Sequence, residues 1–235
     1  ERLDVEVVSP LKDYIRVRTV EQVPVGRATN GIVDDNYLRT EPGLYPDLLR
    51  DGKDGKVIVC SNQWRSLWID IEVTKDIAPG NYEIELRLKK EGDVVTSAKQ
   101  RLTVIGVELP KQKIMHTEWM HADCLADYYH VDVFSEEHWK ILENYFKEYV
   151  KRGCNMMLTP LFTSPLDTAV GLERTTTQLI KVEVVKGEYR FDFSELKRWI
   201  DLCKKCGIEY YEMSHLFSQW GAKYAPKVVA EVDGK

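Results

Sequence analysis

The chain has 235 residues and a mass of 27.3 kDa; 43% of it is hydrophobic, 30% is charged, and the formal net charge is -5. Mean hydropathy is -0.37 and no apolar run approaches the roughly 18 residues a membrane helix needs, which excludes a spanning segment. The acidic balance, with a pI of about 5.7, argues against nucleic acid or an anionic membrane as partner, because both demand clustered Lys and Arg. An aromatic content of 10% is too rich for a disordered tail, so the expectation is a soluble globule of one large or two ordinary domains.

The first half alternates with period two. Short strands are expected at Leu3–Val8, Tyr14–Val20 and Val57–Cys60. Leu67, Ile69, Ile71 and Val73 alternate with polar neighbours, and so do Tyr82, Ile84, Leu86 and Leu88 after the turn Ala78-Pro79-Gly80-Asn81. Val94, Val95, Leu102, Val104 and Ile105 make a following strand or pair, while residues 30–55, rich in Asp, Gly and Pro, read as a long surface connection. Many short strands without helical periodicity indicate a β-sandwich over residues 1–108.

The texture changes near Leu109-Pro110. Ser135 precedes Glu136 and Glu137, an N-cap followed by acids that suit the positive helix end. Trp139, Leu142, Tyr145, Phe146 and Tyr149 then recur at helical spacing up to Gly153, and Asn155–Pro160 has the length of a buried strand. The pattern repeats. Asp192-Phe193-Ser194-Glu195 has capping-box spacing, Leu196, Trp199, Ile200 and Cys203 line one helical face, and Ile208–Met213 reads as the next strand. Leu179–Val185 and Glu188–Phe193 flank Lys186-Gly187 as an inserted hairpin. Alternating strands and helices imply parallel strands with crossover helices. An open doubly wound sheet competes, but no Gly-rich phosphate fingerprint follows any strand. The 126 residues from Pro110 onward are about half of the roughly 250 of an eightfold barrel, so residues 109–235 are expected to form the first strands and helices of a (β/α)8 barrel. The chain starts at Glu1 rather than Met and stops at Glu231–Lys235 without a finished element, which reads as a fragment or a processed chain.

In such folds chemistry gathers beyond the carboxyl ends of the strands. The first end, Met115–Asp123, packs His116, Glu118, Trp119, His121 and Asp123 into nine positions. An aromatic face beside carboxylates suits a sugar, whose C–H surface stacks while its hydroxyls are held by directional acceptors. The plainer reading is a capped strand end with solvated polar residues. The second end runs from Thr159-Pro160 through Leu166-Asp167-Thr168 to Arg174, which either forks onto a ligand oxygen or pairs with Glu173. The third, Tyr211–Gly221, carries Glu212, His215, Gln219 and Trp220. Glu118, Asp123, Asp167 and Glu212 are the strand-end acids, and no two of them are adjacent. Cys203-x-x-Cys206 has no second ligand pair for zinc and lies at the wrong end of a helix for redox work. His116, His121 and Asp123 match no standard cation spacing, and nothing orders a base against Cys124 as a nucleophile. No metal or cofactor is expected. Five cysteines, an odd number, read mostly as small core residues and favour a reducing, cytoplasmic setting.

Several stretches together resemble the glycoside-hydrolase-like domain-of-unknown-function family 4091, which is related to glycoside hydrolase family 123. They are His121–Ala126, Thr159-Pro160-Leu161, Leu166-Asp167-Thr168, Arg174-x-x-x-Gln178 and His215–Gly221. Tyr45–Leu49, Leu67–Asp70 and Pro79–Tyr82 resemble the β-sandwich that precedes the barrel in those proteins. The resemblance implies a retaining exo-glycosidase for N-acetyl-hexosamine glycans, with β-N-acetylgalactosaminidase as the characterised activity. There the substrate's own acetamido group is the nucleophile, oriented by an Asp beside a Glu acid/base, an exception to the two-carboxylate rule. That Asp-Glu pair belongs to a later strand, so it is expected after Lys235 and the fragment by itself is expected to be inactive. Glu118, Trp119, His121, Asp123, Arg174, Glu212, His215, Gln219 and Trp220 are the expected glycan-pocket residues. The rival is a non-catalytic carbohydrate-binding sandwich, with an accessory α/β scaffold, that meets sugar near Trp64 and Trp68.

Overall fold

The computed structural model describes residues 1–27, 36–51, 55–164, 166, 172–217, 221–222 and 224–235. It divides into two compact units, Glu1–Pro110 and Lys111–Lys235. The first is a sandwich-like, β-rich unit of two antiparallel sheets. One has the order β4-β1-β6-β7, from Lys56–Ile58, Arg2–Val8, Gly80–Lys90 and Asp93–Val104; the other is β3-β2-β5, from Gly43–Asp51, Ile15–Val25 and Ser66–Ile71. Val5, Val7, Ile15, Val17 and Val57 line a hollow of about 250 Å³, so the apolar faces of β1 and β2 meet loosely. The small core holds Leu11, Ile77 and Val104, with Tyr82 and Leu102 packed against it.

Two expectations change in this unit. The surface connection expected over 30–55 contains β3, which pairs with β2 across a register shift between Val20 and Gln22. Its Pro46 lies opposite Gln22 on an edge strand, the place in a sheet where proline is tolerated. The strand or pair expected after Val94 is one strand, β7, joined to β6 by Glu91-Gly92; both turn residues have positive φ (52° and 94°), as a two-residue hairpin turn requires.

In the second unit, α2 (Glu136–Lys151) starts where expected, with Ser135 Oγ accepting from the His138 amide at 3.2 Å. α3 (Ser194–Cys206) ends at Gly207 with φ 99°. The capping box expected at its start does not form: Asp192 accepts from the amide and hydroxyl of Ser194, two residues on, and no side chain caps from Phe193. β8 (Met156–Thr159) and β11 (Tyr210–Met213) pair in parallel from Tyr210↔Met156 to Met213↔Thr159, with α3 in the connection between them. The hairpin β9 (Lys181–Val185) and β10 (Glu188–Asp192) forms, and β12 (Ala230–Val232), absent from the sequence expectation, adds in parallel to β9. Trp139, Leu142, Phe146, Met157, Trp199 and Cys203 share one core, in which Phe146 meets Trp199 edge-on at 5.0 Å.

No closed barrel is present among the described residues; β8 and β11 form one parallel pair with α3 in the crossover, and β9 and β12 form another. Residues 114–118, which lead into the first expected strand end, run beside the start of β8 without a regular ladder. The amides of Asn155 and Met156 both point to the His116 carbonyl, and the Asn155 side chain accepts from the His116 amide and donates to Ile114 O. Side chains replace peptide groups here, so strand geometry is lost while the position is kept. The stretch after the first expected strand end, to which the sequence reading gave no element, forms a helix, α1 (Ala122–Tyr129), with His121 at its N-cap. Ala122, Leu125 and Ala126 are buried on its inner face.

Candidate functional site

Three connections meet beyond the carboxyl ends of β8 and β11. The first carries Trp119, and its placement starts with Tyr149 on α2. The Tyr149 hydroxyl accepts from the Glu118 amide at 2.9 Å, lies 3.0 Å from the Glu118 carbonyl, and donates to the Met156 carbonyl at 2.6 Å. One side chain thereby clips the 114–119 segment to β8; its burial raises the Tyr149 pKa above the ordinary phenol value. Beyond the clip, the Trp119 indole N–H donates to Glu212 Oε2 at 3.1 Å. The Trp119 ring also meets His215 edge-on at 5.3 Å, and His215 Nε2 lies 3.4 Å from the other Glu212 oxygen. Trp119 is 42% exposed, so a ring fixed at its edge still offers a free face. Glu118 turns to a different partner, His116 Nε2 at 3.2 Å.

The second group is buried. Arg174 grips Asp123 through Nε to Oδ2 at 2.8 Å and Nη2 to Oδ1 at 3.1 Å; the two side chains are 9% and 5% exposed. Nη1 donates to Leu166 O at 2.9 Å, and Nη2 also contacts Cys124 Sγ at 3.0 Å. Burial disfavours the guanidinium, yet the bonds from Asp123 outweigh it and hold the Arg174 pKa above its ordinary value. Of the alternatives open for Arg174, Glu173 is not its partner: Glu173 pairs with Lys227 at 3.1 Å. His121 occupies the N-cap position of α1. With Asp123, Pro160, Ser164, Arg174 and Ser214 it lines a hollow of about 20 Å³, on the order of one water molecule. Ser164 Oγ is buried there without a partner.

Of the nine expected pocket residues, Trp119, Glu212 and His215 form one contact group, Asp123 and Arg174 another, and His121 joins the second through the shared hollow. Glu118 lies one residue from Trp119 but faces His116. Gln219 and Trp220, together with Asp167, lie outside the described residues. Gln178, part of the quoted motif, is committed to backbone: it bonds Ile180 O and both peptide groups of Val229.

Sequence reasoning missed the groups that place the site. Tyr149 reads as one more apolar position of α2, and Asn155 as the first residue of a buried strand, although β8 begins at Met156. His138 reads as nothing at all, yet it is fully buried: Nδ1 accepts from the Phe134 amide at 2.9 Å and Nε2 donates to Ala122 O at 3.0 Å, anchoring the start of α1. That pattern requires the neutral ring, and burial pushes its pKa down. The α1 helix itself had a signal, since Ala122, Leu125 and Ala126 follow helical spacing with Asp123 in the first turn.

The five cysteines are free thiols, with Cys154 and Cys203 buried, Cys206 half-buried, and Cys60 and Cys124 exposed, so fewer serve the core than expected. Among the described residues no three His, Cys, Asp or Glu side chains gather closely enough to hold a metal, and no helix is long and apolar enough to cross a membrane.

The family model for the glycoside hydrolase 123 catalytic domain matches residues 119–235, a span that starts at Trp119 and takes in both contact groups. No curated protein matches the chain. A glycoside-hydrolase domain works on carbohydrate, which agrees with a polar-aromatic rim at the ends of parallel strands. Over residues 119–235, the chain is similar to the glycoside hydrolase 123 catalytic domain.

Proposed function

We propose that this chain is part of a retaining exo-glycosidase acting on N-acetyl-hexosamine glycans of the β-N-acetylgalactosamine type. In this reading residues 109–235 contribute the first strands and helices of a (β/α)8 barrel, and residues 1–108 a β-sandwich ahead of it. The acetamido oxygen of the substrate attacks its own anomeric carbon. An Asp-Glu pair supplied by sequence after Lys235 orients that group and protonates the leaving oxygen. The free thiols fit a reducing compartment, and no cofactor takes part.

One observation carries the proposal: Trp119, Glu212 and His215, from two separate connections, hold one another in a fixed arrangement at the strand ends. The exposed Trp119 face stacks on the sugar ring, while the remaining lone pairs of Glu212 and a His215 nitrogen take hydroxyl hydrogens. Asp123 and Arg174 act from beneath: their donors and acceptors are spent on each other and on Leu166, so they position the α1 start and His121 against the sugar. Glu118, Gln219 and Trp220 complete the rim.

The test is tryptophan fluorescence of the chain during titration with N-acetylgalactosamine, in wild type, Trp119→Phe and Trp220→Phe. The expected result is a saturable change that Trp119→Phe weakens by about tenfold, near 1.4 kcal/mol. Unchanged titration of both variants, with no turnover of an aryl β-N-acetylgalactosaminide by the full-length protein, would remove the reading.

A further inference from the structure

The three-stranded sheet of the first unit has two unlike faces. Ile15, Val17 and Thr19 of β2 face the hollow shared with β1. The opposite face of β2 carries Arg16 and Arg18, which lie across from Asp70 and Trp68 of β5, and Arg18 also lies across from Asp51 of β3. Their side chains form two bonded groups, Arg16 with Asp51 and Arg18 with Asp70 and Trp68, and Asp51 also borders the hollow. Arg16 Nε donates to Asp51 Oδ1 at 2.8 Å, and its Nη2 contacts the other oxygen. Arg18 donates through Nε and Nη2 to Asp70 Oδ2 at 3.0 and 2.5 Å. The Trp68 indole N–H donates to Asp70 Oδ1 at 3.0 Å, and that bond is the leading cause of the lowered Asp70 pKa.

Arg16 and Asp51 are 60% and 59% exposed, and ion pairs at such positions contribute only about 0–1 kcal/mol. Trp68 is half exposed, on the face turned away from the inner hollow. What the arrangement achieves is orientation: a large aromatic face held at its edge by Asp70 and flanked by charged groups. The two arginines and two aspartates cancel, so the face does not select an anion or a cation. Nucleic acid would require unneutralised positive charge. An apolar protein partner would strand both ion pairs in a dry interface. A neutral polyol suits both the ring and the polar comb.

We infer that the outward face of the β3-β2-β5 sheet is a second, non-catalytic glycan-contact surface, with Trp68 as its stacking platform and Arg16, Arg18, Asp51 and Asp70 as its hydrogen-bonding frame. The choice of a carbohydrate occupant rests on the proposed carbohydrate chemistry of the second unit, but the site does not depend on Trp119.

The experiment is a titration of the 15N-labelled chain with a soluble N-acetylglucosamine tetrasaccharide, following the tryptophan indole signals by NMR. It uses wild type, Trp68→Ala, Asp70→Asn and Trp119→Phe. The indole signal of Trp68 is expected to shift saturably in wild type and in Trp119→Phe. Trp68→Ala abolishes the response of the neighbouring Arg18 and Asp70 amides while the signals around Trp119 respond as before. Asp70→Asn, which keeps the shape but leaves Arg18 unbalanced, weakens binding at this face by at least about fivefold, near 1 kcal/mol. A response at Trp119 without one at Trp68 up to about 10 mM sugar overturns this inference and leaves the pocket reading intact. A response at Trp68 alone does the opposite. Self-association that Trp68→Ala removes, without any sugar response, shows a protein occupant and also overturns the inference.

Discussion

Replacing Arg174 with Met strands the Asp123 carboxylate in a site where it is only 5% exposed. Wild type gives that carboxylate two donors from one guanidinium, while the same guanidinium ties down Leu166 O. Breaking one side of such a buried pair costs about 3–5 kcal/mol, most of it the penalty of an uncompensated charge. For a unit of this size each kcal/mol moves Tm by about 3–5 °C, so the variant should melt roughly 10–20 °C lower. The unfolding of this unit is read from Trp139 and Trp199, which are almost fully buried within it. Asp123→Asn removes the charge and should cost less, about 2–3 kcal/mol, because the guanidinium keeps the Leu166 carbonyl and one amide oxygen. The double variant should fall short of the sum of the singles by about 1–3 kcal/mol, since once either partner is gone the other has less to lose. A cost below about 1 kcal/mol for Arg174→Met, or strict additivity in the cycle, would mean the pair is solvated, and would refute the argument that it positions α1 and His121.

Tyr149→Phe should cost about 1–3 kcal/mol. Its distinguishing sign is faster hydrogen exchange at the Glu118 amide, with β8 and β11 protection unchanged. Stability should fall as pH drops below about 6.5 because of His138: its folded pKa is depressed, so the unfolded chain takes up the proton first, and the contribution is complete only above the unfolded value. Urea unfolding of His138→Gln across pH 5–7 should show that limb flattened. A separate limb belongs to Glu143, whose carboxyl is pulled down to about 2 by Lys147 of α2 and Lys205 of α3. Its contribution is whole above about 4.5 and is lost as pH falls toward about 2, so Glu143→Gln should lose stability at pH 5 and show a shallower decline between pH 4.5 and 2.5.

Periodicity and end signals located α2, α3, β8, β11 and the β9-β10 hairpin: α2 and α3 bury one helical face, and Ser135, Gly153, Lys186-Gly187 and Gly207 mark element ends. They missed β3, where Pro46 and Asp47 mask a strand that survives only at a sheet edge, and they missed α1, whose eight residues include five of the six in the His121–Ala126 stretch that drew attention as a site. Residue type alone also marked Trp119, Glu212 and His215 as chemistry at strand ends, since polar-aromatic clusters of that density serve no core. Which of the marked residues touch was decided by tertiary structure. Arg174 finds Asp123, 51 positions away, rather than its neighbour Glu173. Trp119 finds Glu212, 93 positions away, because a tyrosine hydroxyl from α2 fixes the backbone between them and the helix core. Local pattern reports which face of an element must be dry, and so it carries no record of which distant partner a side chain meets once the elements pack.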